Sequence, residues 1–301
     1  MKHLNYIVLV IFTAMAAVVS AQDKKTPVTA YGYSSGSDDY IIEPAEYAVS
    51  YRRSQLVVNE QTKEQEVLTD TLTLVIGRRW SVFYNTAYDS RFSVWAKQNL
   101  KKTRQATKPA FAGNVVPLSS VIDKKNASTD YMEGDFGEPT AIYVDRVEKK
   151  TYSVLQIPAI MNEQDSGDAF DWKMLDVRDT VFGYPCRQAA VNYAGRDYTA
   201  WYTLDIPVPD GPWKFYGLPG LILKAEDAEG YFAYEAVGME TLDDSSYITM
   251  NEDREKVELS YFNKAADNAR SERRGTFLFE GEMILTVTRP YVYNEMELTY
   301  D

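Results

Sequence analysis

Residues 210–223 read Asp210-Gly211-Pro212-Trp213-Lys214-Phe215-Tyr216-Gly217-Leu218-Pro219-Gly220-Leu221-Ile222-Leu223. Two prolines and three glycines stand among large apolar side chains. Such a run suits a tightly bent, closely packed backbone better than a reactive centre. Proline presets φ at the second position of a type II turn, and glycine supplies the positive φ at the third. Leu218-Pro219-Gly220 therefore predicts a type II turn with Gly220 at positive φ, leading into a strand from Leu221. Gly217 is expected to permit close backbone approach. Gly217, Pro219 and Gly220 are thus structural candidates. Trp213, Phe215 and Tyr216 are expected to cover the turn as core, because large aromatics dominate buried cores. With Trp201, they are also the candidates for a binding platform.

Outward from this stretch the chain reads as strands and turns. Residues 197–206 alternate cleanly, with Tyr198, Ala200, Tyr202, Leu204 and Ile206 on one side and Asp197, Thr199, Trp201, Thr203 and Asp205 on the other. Gly195 marks the turn from a preceding strand that carries Cys186 and Val191. Leu221–Ala225 and Tyr231–Val237 flank Asp227-Ala228-Glu229-Gly230, a hairpin signal. Tyr47–Leu56 predicts a first strand, Thr71–Ile76 a second, and Trp80–Tyr84 a continuation after the Gly77 break. Met283–Val287 is expected to be the last strand.

Two helices are expected. One follows Asp89 or Ser90 and gathers Phe92, Trp95, Ala96 and Leu100 on one face. The other begins near Asn251. Val257, Tyr261, Ala265 and Ala269 repeat along it beside Phe262 and Ala266, and Gly275 is its expected stop. The fold class is mainly β: a curved antiparallel sheet or half-barrel with two accessory helices, with a β-sandwich as the alternative. Residues 1–21 read as a signal peptide, 22–43 as a flexible leader and 44–301 as one domain. Cleavage is expected before Gln22, after Val19-Ser20-Ala21.

Composition narrows the chemistry. The 301 residues are 45% hydrophobic and carry a net charge of −12. Removing residues 1–21 removes one positive charge, Lys2, and leaves −13. An acidic chain disfavours nucleic acid and anionic lipid as partners. No later segment is apolar enough for a membrane span. The single histidine, His3, falls in the leader. The mature chain then lacks Ser-His-Asp and Cys-His catalysis, histidine zinc sites and histidine-ligated haem. No metal and no cofactor are expected. The single cysteine, Cys186, forms no internal disulfide and is expected to be a buried structural thiol.

Gly32-Tyr33-Ser34-Ser35-Gly36 matches a nucleophile pattern, but it lacks the strand-turn-helix setting and any histidine to activate Ser34. Carboxylates remain as acid–base groups. Asp205, Asp210 and Asp227 cluster near residues 210–223, although turn formation is the plainer role for each. No catalytic residue is assigned.

The stretch around Gly217–Ile222 resembles the signature of the GLPGLI family of exported bacterial proteins. Asp171-Trp172-Lys173, Gly183-Tyr184-Pro185-Cys186-Arg187-Gln188-Ala189, Gly195-Arg196 and Ala200-Trp201-Tyr202-Thr203 precede it in the family's order. Tyr293-Asn294-Glu295-Met296-Glu297-Leu298 resembles the terminal motif, with Glu295 and Met296 where the family has proline and isoleucine. The resemblance implies export to the envelope of a Gram-negative bacterium and carries no established reaction. Similar domains precede some glycan-processing enzymes as bowl-shaped β modules. The expected function is a non-catalytic periplasmic or outer-membrane-associated protein that binds an envelope partner or an amphipathic ligand. The alternative is a carboxylate-based hydrolase acting on glycans.

Overall fold

The computed structural model describes residues 29–32, 39–86, 138–156, 159–165, 170–251, 254–271, 273–279, 282–288 and 291–298. The leader cleavage point, Ser34 and the helix expected after Asp89 lie outside them. The described strands begin with β1 (Thr29–Tyr31), β2 (Asp39–Asn59), β3 (Gln65–Gly77) and β4 (Trp80–Tyr84). There follow β5 (Thr140–Asp145), β6 (Lys150–Leu155), β7 (Ile160–Asp165), β8 (Lys173–Val181), β9 (Tyr184–Tyr193) and β10 (Arg196–Thr203). The remainder are β11 (Leu221–Asp227), β12 (Phe232–Thr241), β13 (Ser246–Asn251), β14 (Glu255–Lys256), α1 (Leu259–Ser271), β15 (Arg273–Phe279), β16 (Glu282–Thr288) and β17 (Tyr291–Tyr293).

Fifteen strands form one open sheet in the order β14-β7-β6-β5-β4-β3-β2-β12-β11-β10-β9-β8, with β1, β13 and β17 joined off this path. Pairing is antiparallel except at β1–β13 and β14–β7. The mainly β class therefore holds, but the strands do not divide into the two packed sheets of a sandwich. β15 and β16 make a separate two-stranded ribbon. α1 is the one helix among the described residues.

β2 is the spine. One of its edges pairs with β3 from Ala45 to Val58. Its other edge is shared in succession by β13, β12 and β17. Within the span read as a leader, residues 29–31 and 39–43 lie in strands. Their partners are non-local: β1 lies beside β13, and the first part of β2 pairs with Tyr247–Asn251.

The period of two sorts the centre of the sheet into two apolar faces. Val49, Tyr51, Leu72, Leu74, Phe83 and Ile142 face the larger core. Ala48, Val75, Val82, Ala141 and Tyr143 face the smaller one. Residues 204–220 fold onto the larger core and insert Trp213, Phe215 and Leu218. Tyr51 anchors this face by donating its hydroxyl to the Ile222 carbonyl at 2.6 Å.

Several elements differ from the sequence reading. β10 ends at Thr203, and Leu204 and Asp205 are exposed, because residues beyond it turn to make short bonds of their own (Val208 N to the Ile206 carbonyl, 2.8 Å). α1 starts at Leu259 rather than near Asn251. Residues 246–251 pair with β1 and β2, and Glu255–Lys256 pair in parallel with Ile160–Met161. Phe262 and Ala266 are the buried helical positions, packed on Leu155 and Ile160, whereas Tyr261 is exposed. Gly275 lies inside β15 and does not end the helix. Met283–Val287 falls within β16, and β17 follows it.

Candidate functional site

The signature stretch is built differently from a type II turn. Gly217 holds the positive φ, at +92°, and a side chain there would meet open space. Gly220 is not among the positive-φ glycines. Its role is contact, since a Cβ at Gly220 would lie 1.9 Å from the Thr203 carbonyl oxygen. The two glycines exchange the roles expected of them. The reason is that the chain reverses at Gly217, whose N–H donates to the Pro209 carbonyl, and Gly220 then slides against the end of β10. Pro219 between them is exposed.

Trp213 also has positive φ, at +57°, a strained conformation for a large L-residue. This backbone aims its ring at Tyr193, Tyr198 and Phe215, with centroids 5.7, 5.9 and 5.0 Å away. The next residue, Lys214, keeps its Nζ beside that ring, 5.6 Å from the Trp213 centroid. It is buried, and its Nζ donates to Glu297 Oε1 at 2.7 Å and Gln164 Oε1 at 2.9 Å. Tyr193 donates its hydroxyl to the same Glu297 oxygen at 3.1 Å. The terminal motif is thereby fastened to the signature loop. Further bonds hold it: Tyr198 OH to the Met296 carbonyl, Arg196 Nε to the Glu295 carbonyl and Asn294 Nδ2 to the Leu56 carbonyl.

Between this strap, α1 and the sheet lies a cleft that opens to solvent. Leu72, Phe83, Ile142, Phe232 and Phe262 give it an apolar floor. Above them runs a chain of ion pairs. Arg53 holds both oxygens of Asp70, at 2.8 and 2.7 Å, and reaches Glu138 at 2.5 Å. Arg270 donates to both oxygens of Glu138, at 2.9 and 3.1 Å, and to Asp267 at 2.7 Å. Burial works to raise the Glu138 carboxyl, but the Arg270 and Arg53 charges overcome it and bring the pKa from 4.5 down to about 2. Burial raises the Asp267 carboxyl; Arg270 offsets part of that, while Glu295 and Glu138 add to it. Thr140 also lines the cleft, with its buried Oγ1 bonded to no other described atom.

Of the four aromatic candidates, only Trp213 lines the cleft. Phe215 is 1% exposed and belongs to the core, as does Trp201 on β10. Tyr216 is half-buried against Phe170, and its carbonyl accepts from Trp172 Nε1 at 2.9 Å. The carboxylates near the signature do not converge. Asp205 is exposed, Asp210 pairs with Arg146 at 2.5 Å, and Asp227 accepts from the Phe232 N–H at 2.6 Å. Among the described residues no cluster of His, Cys, Asp and Glu has the geometry to hold a metal. No described helix is long and apolar enough to cross a membrane.

The sequence reading missed Arg53, Glu138, Asp267 and Arg270. One signal existed: Arg53 and Gln55 continue the inward row Val49, Tyr51, and a charge at an inward position needs a partner.

Cys186 lies on β9, 2% exposed, and burial pushes its thiol pKa up. Native protein should resist a thiol reagent under conditions where unfolded protein reacts fully. Rapid stoichiometric labelling of the folded chain would contradict this.

The signature loop, Cys186 and Thr140 fall in a segment that matches a family model, whereas Arg53, Glu138, Asp267, Arg270 and Glu297 fall outside it. Residues 139–224 match a family model described as a protein of unknown function (Porph_ging). That places the central part of the chain, β5 to β11, in a β-rich class without an assigned activity. A comparison with curated proteins finds no match. Among solved structures, one crystal form of PNGF-II aligns with a TM-score of 0.46 at 12% identity, covering 78% of this chain and 35% of that one. A second form gives 0.44 at 13% identity with the same coverage. The chain thus spans about 35% of the length of the solved protein it resembles.

Proposed function

We propose that the protein is a non-catalytic component of a bacterial envelope, exported to the periplasm or the outer membrane, whose cleft binds a small amphipathic ligand. The observation that carries this reading is the meeting of apolar side chains with a buried ion-pair network in one cleft. The apolar end of a ligand would displace water from Phe83, Ile142 and Phe262. Its polar end would meet Thr140 and the ion-pair chain. The strained Trp213 at the wall supports the same reading, because strained residues cluster at ligand clamps. The GLPGLI resemblance and the leader residues support export, and the Porph_ging match is compatible with that resemblance. Contact between Lys214, beside β10, and Gln164 on β7 supports a curved, bowl-like sheet, since seven strands separate β7 from β10 in the sheet order.

Protein recovered from its native source should carry a stoichiometric small molecule identifiable by mass spectrometry. Asn263→Trp, which places an indole in the cleft, should recover folded but ligand-free. Native protein that is consistently empty, or a variant that retains the molecule, would overturn the assignment.

A specific observation favours a second reading, carboxylate-based hydrolysis of glycans. Asp267, its carboxyl raised, shares the cleft with Glu138 and Glu295, and paired carboxylates of unlike acidity are what such chemistry requires. Glycan cleavage by the wild type, lost in both Asp267→Asn and Glu138→Gln while each variant stays folded, would establish it in place of simple binding.

A further inference from the structure

β8 ends the described sheet, and its outer edge has no strand partner among the described residues. Eight of its nine residues are exposed, Lys173 to Thr180. Met174, Leu175 and Val177 are 54%, 40% and 44% exposed, and Phe182 in the following turn is 42% exposed. A long edge with exposed apolar side chains is a template for another strand. The strand itself indicates which one. Two identical antiparallel strands related by a two-fold axis place one residue opposite its own copy, because bonded and non-bonded pairs must alternate. Centring on Asp176, Arg178 or Asp179 sets a like charge against itself. Centring on Leu175 pairs no opposite charges and sets Asp171 against Asp179. Centring on Val177 sets Asp176 opposite Arg178 of the second copy, and symmetry makes that ion pair twice. The same register places Met174 opposite Thr180 and Leu175 opposite Asp179, and carries each Trp172 toward the other copy's Phe182. The register with β9 shifts between Met174 and Arg178, so Leu175, Asp176 and Val177 bridge to no residue of β9.

We propose that β8 is a dimerisation edge, pairing antiparallel with β8 of a second copy of this chain, centred on Val177. The sheet then continues through the two-fold axis, and each cleft stays within its own subunit.

Sedimentation equilibrium of the full mature chain tests this. The wild type should be a reversible dimer. Asp176→Arg places arginine opposite arginine twice and should weaken the dimer at least about tenfold, given the cost of like charges in contact. Arg178→Asp should do the same by the opposite charge. The double exchange Asp176→Arg/Arg178→Asp should restore the wild-type affinity. Circular dichroism confirms that each variant is folded; these side chains are exposed, and either single variant suffices if the other misfolds. A wild type that stays monomeric across the accessible range overturns the proposal. So do single variants that dimerise unchanged, or a double variant as weak as the singles.

Discussion

Gly220→Ala is expected to cost at least about 3 kcal/mol, the upper end for forcing atoms into packed structure. The added methyl would sit 1.9 Å from the Thr203 carbonyl oxygen, 2.8 Å from its carbon and 3.3 Å from the Ile206 carbonyl oxygen. All three are backbone atoms, so no side chain can rotate away. The Ile206 carbonyl is further fixed by the N–H groups of Val208 and Leu221. Gly217→Ala is the control. It meets no atom within 4 Å but must hold φ near +92°, which costs about 1–2 kcal/mol. Urea melts of the two variants should therefore separate clearly. Equal losses would show that Gly220 acts through backbone freedom rather than contact.

The other large effect concerns Glu138. Its carboxylate lies between the buried Arg53 and the half-buried Arg270, and its removal leaves both with less compensation. Glu138→Ala is expected to cost about 3–5 kcal/mol, the range for breaking a buried pair from one side. The pH dependence follows from the lowered pKa. A carboxyl that binds its proton less readily when folded contributes stability above its unfolded pKa, near 4.5. That contribution fades as pH falls from there toward about 2. Glu138→Gln should remove this part of the acid dependence while keeping the side chain's shape. Melts of wild type and Glu138→Gln from pH 6 to pH 2.5 should therefore converge at the acid end. A constant difference across that range would remove Glu138 as the titrating group.

Local patterns carried much of the fold. Trp80–Tyr84 is a strand with the expected bounds because Gly77 breaks the chain before it and alternation marks it internally. The strands around Asp227–Gly230 follow from turn chemistry that acts over four residues. The start of α1 was illegible because Glu255 and Lys256 are held by Ile160 and Met161, a partner distant in sequence. The candidate site was less legible still. Arg53, Glu138 and Arg270 come from β2, the residues before β5 and α1, and each alone reads as a surface charge. Only the fold brings them together. The aromatics were visible at once, but their packing put Phe215 and Trp201 in the core and left Trp213 alone at the cleft wall.

The 21-residue β2 has a kinetic consequence. Asp39 waits for Asn251, Tyr47 for Thr241 and Asn59 for Tyr291. One edge of the strand can zip to its hairpin neighbour β3 early, but the other stays open until the far end of the chain arrives. Contacts of such long sequence separation make folding slow. During that interval β2 presents a long, half-apolar template to any passing strand. A chain built this way gains from being kept unfolded until synthesis is finished, and from a holding chaperone while its last strands find their places.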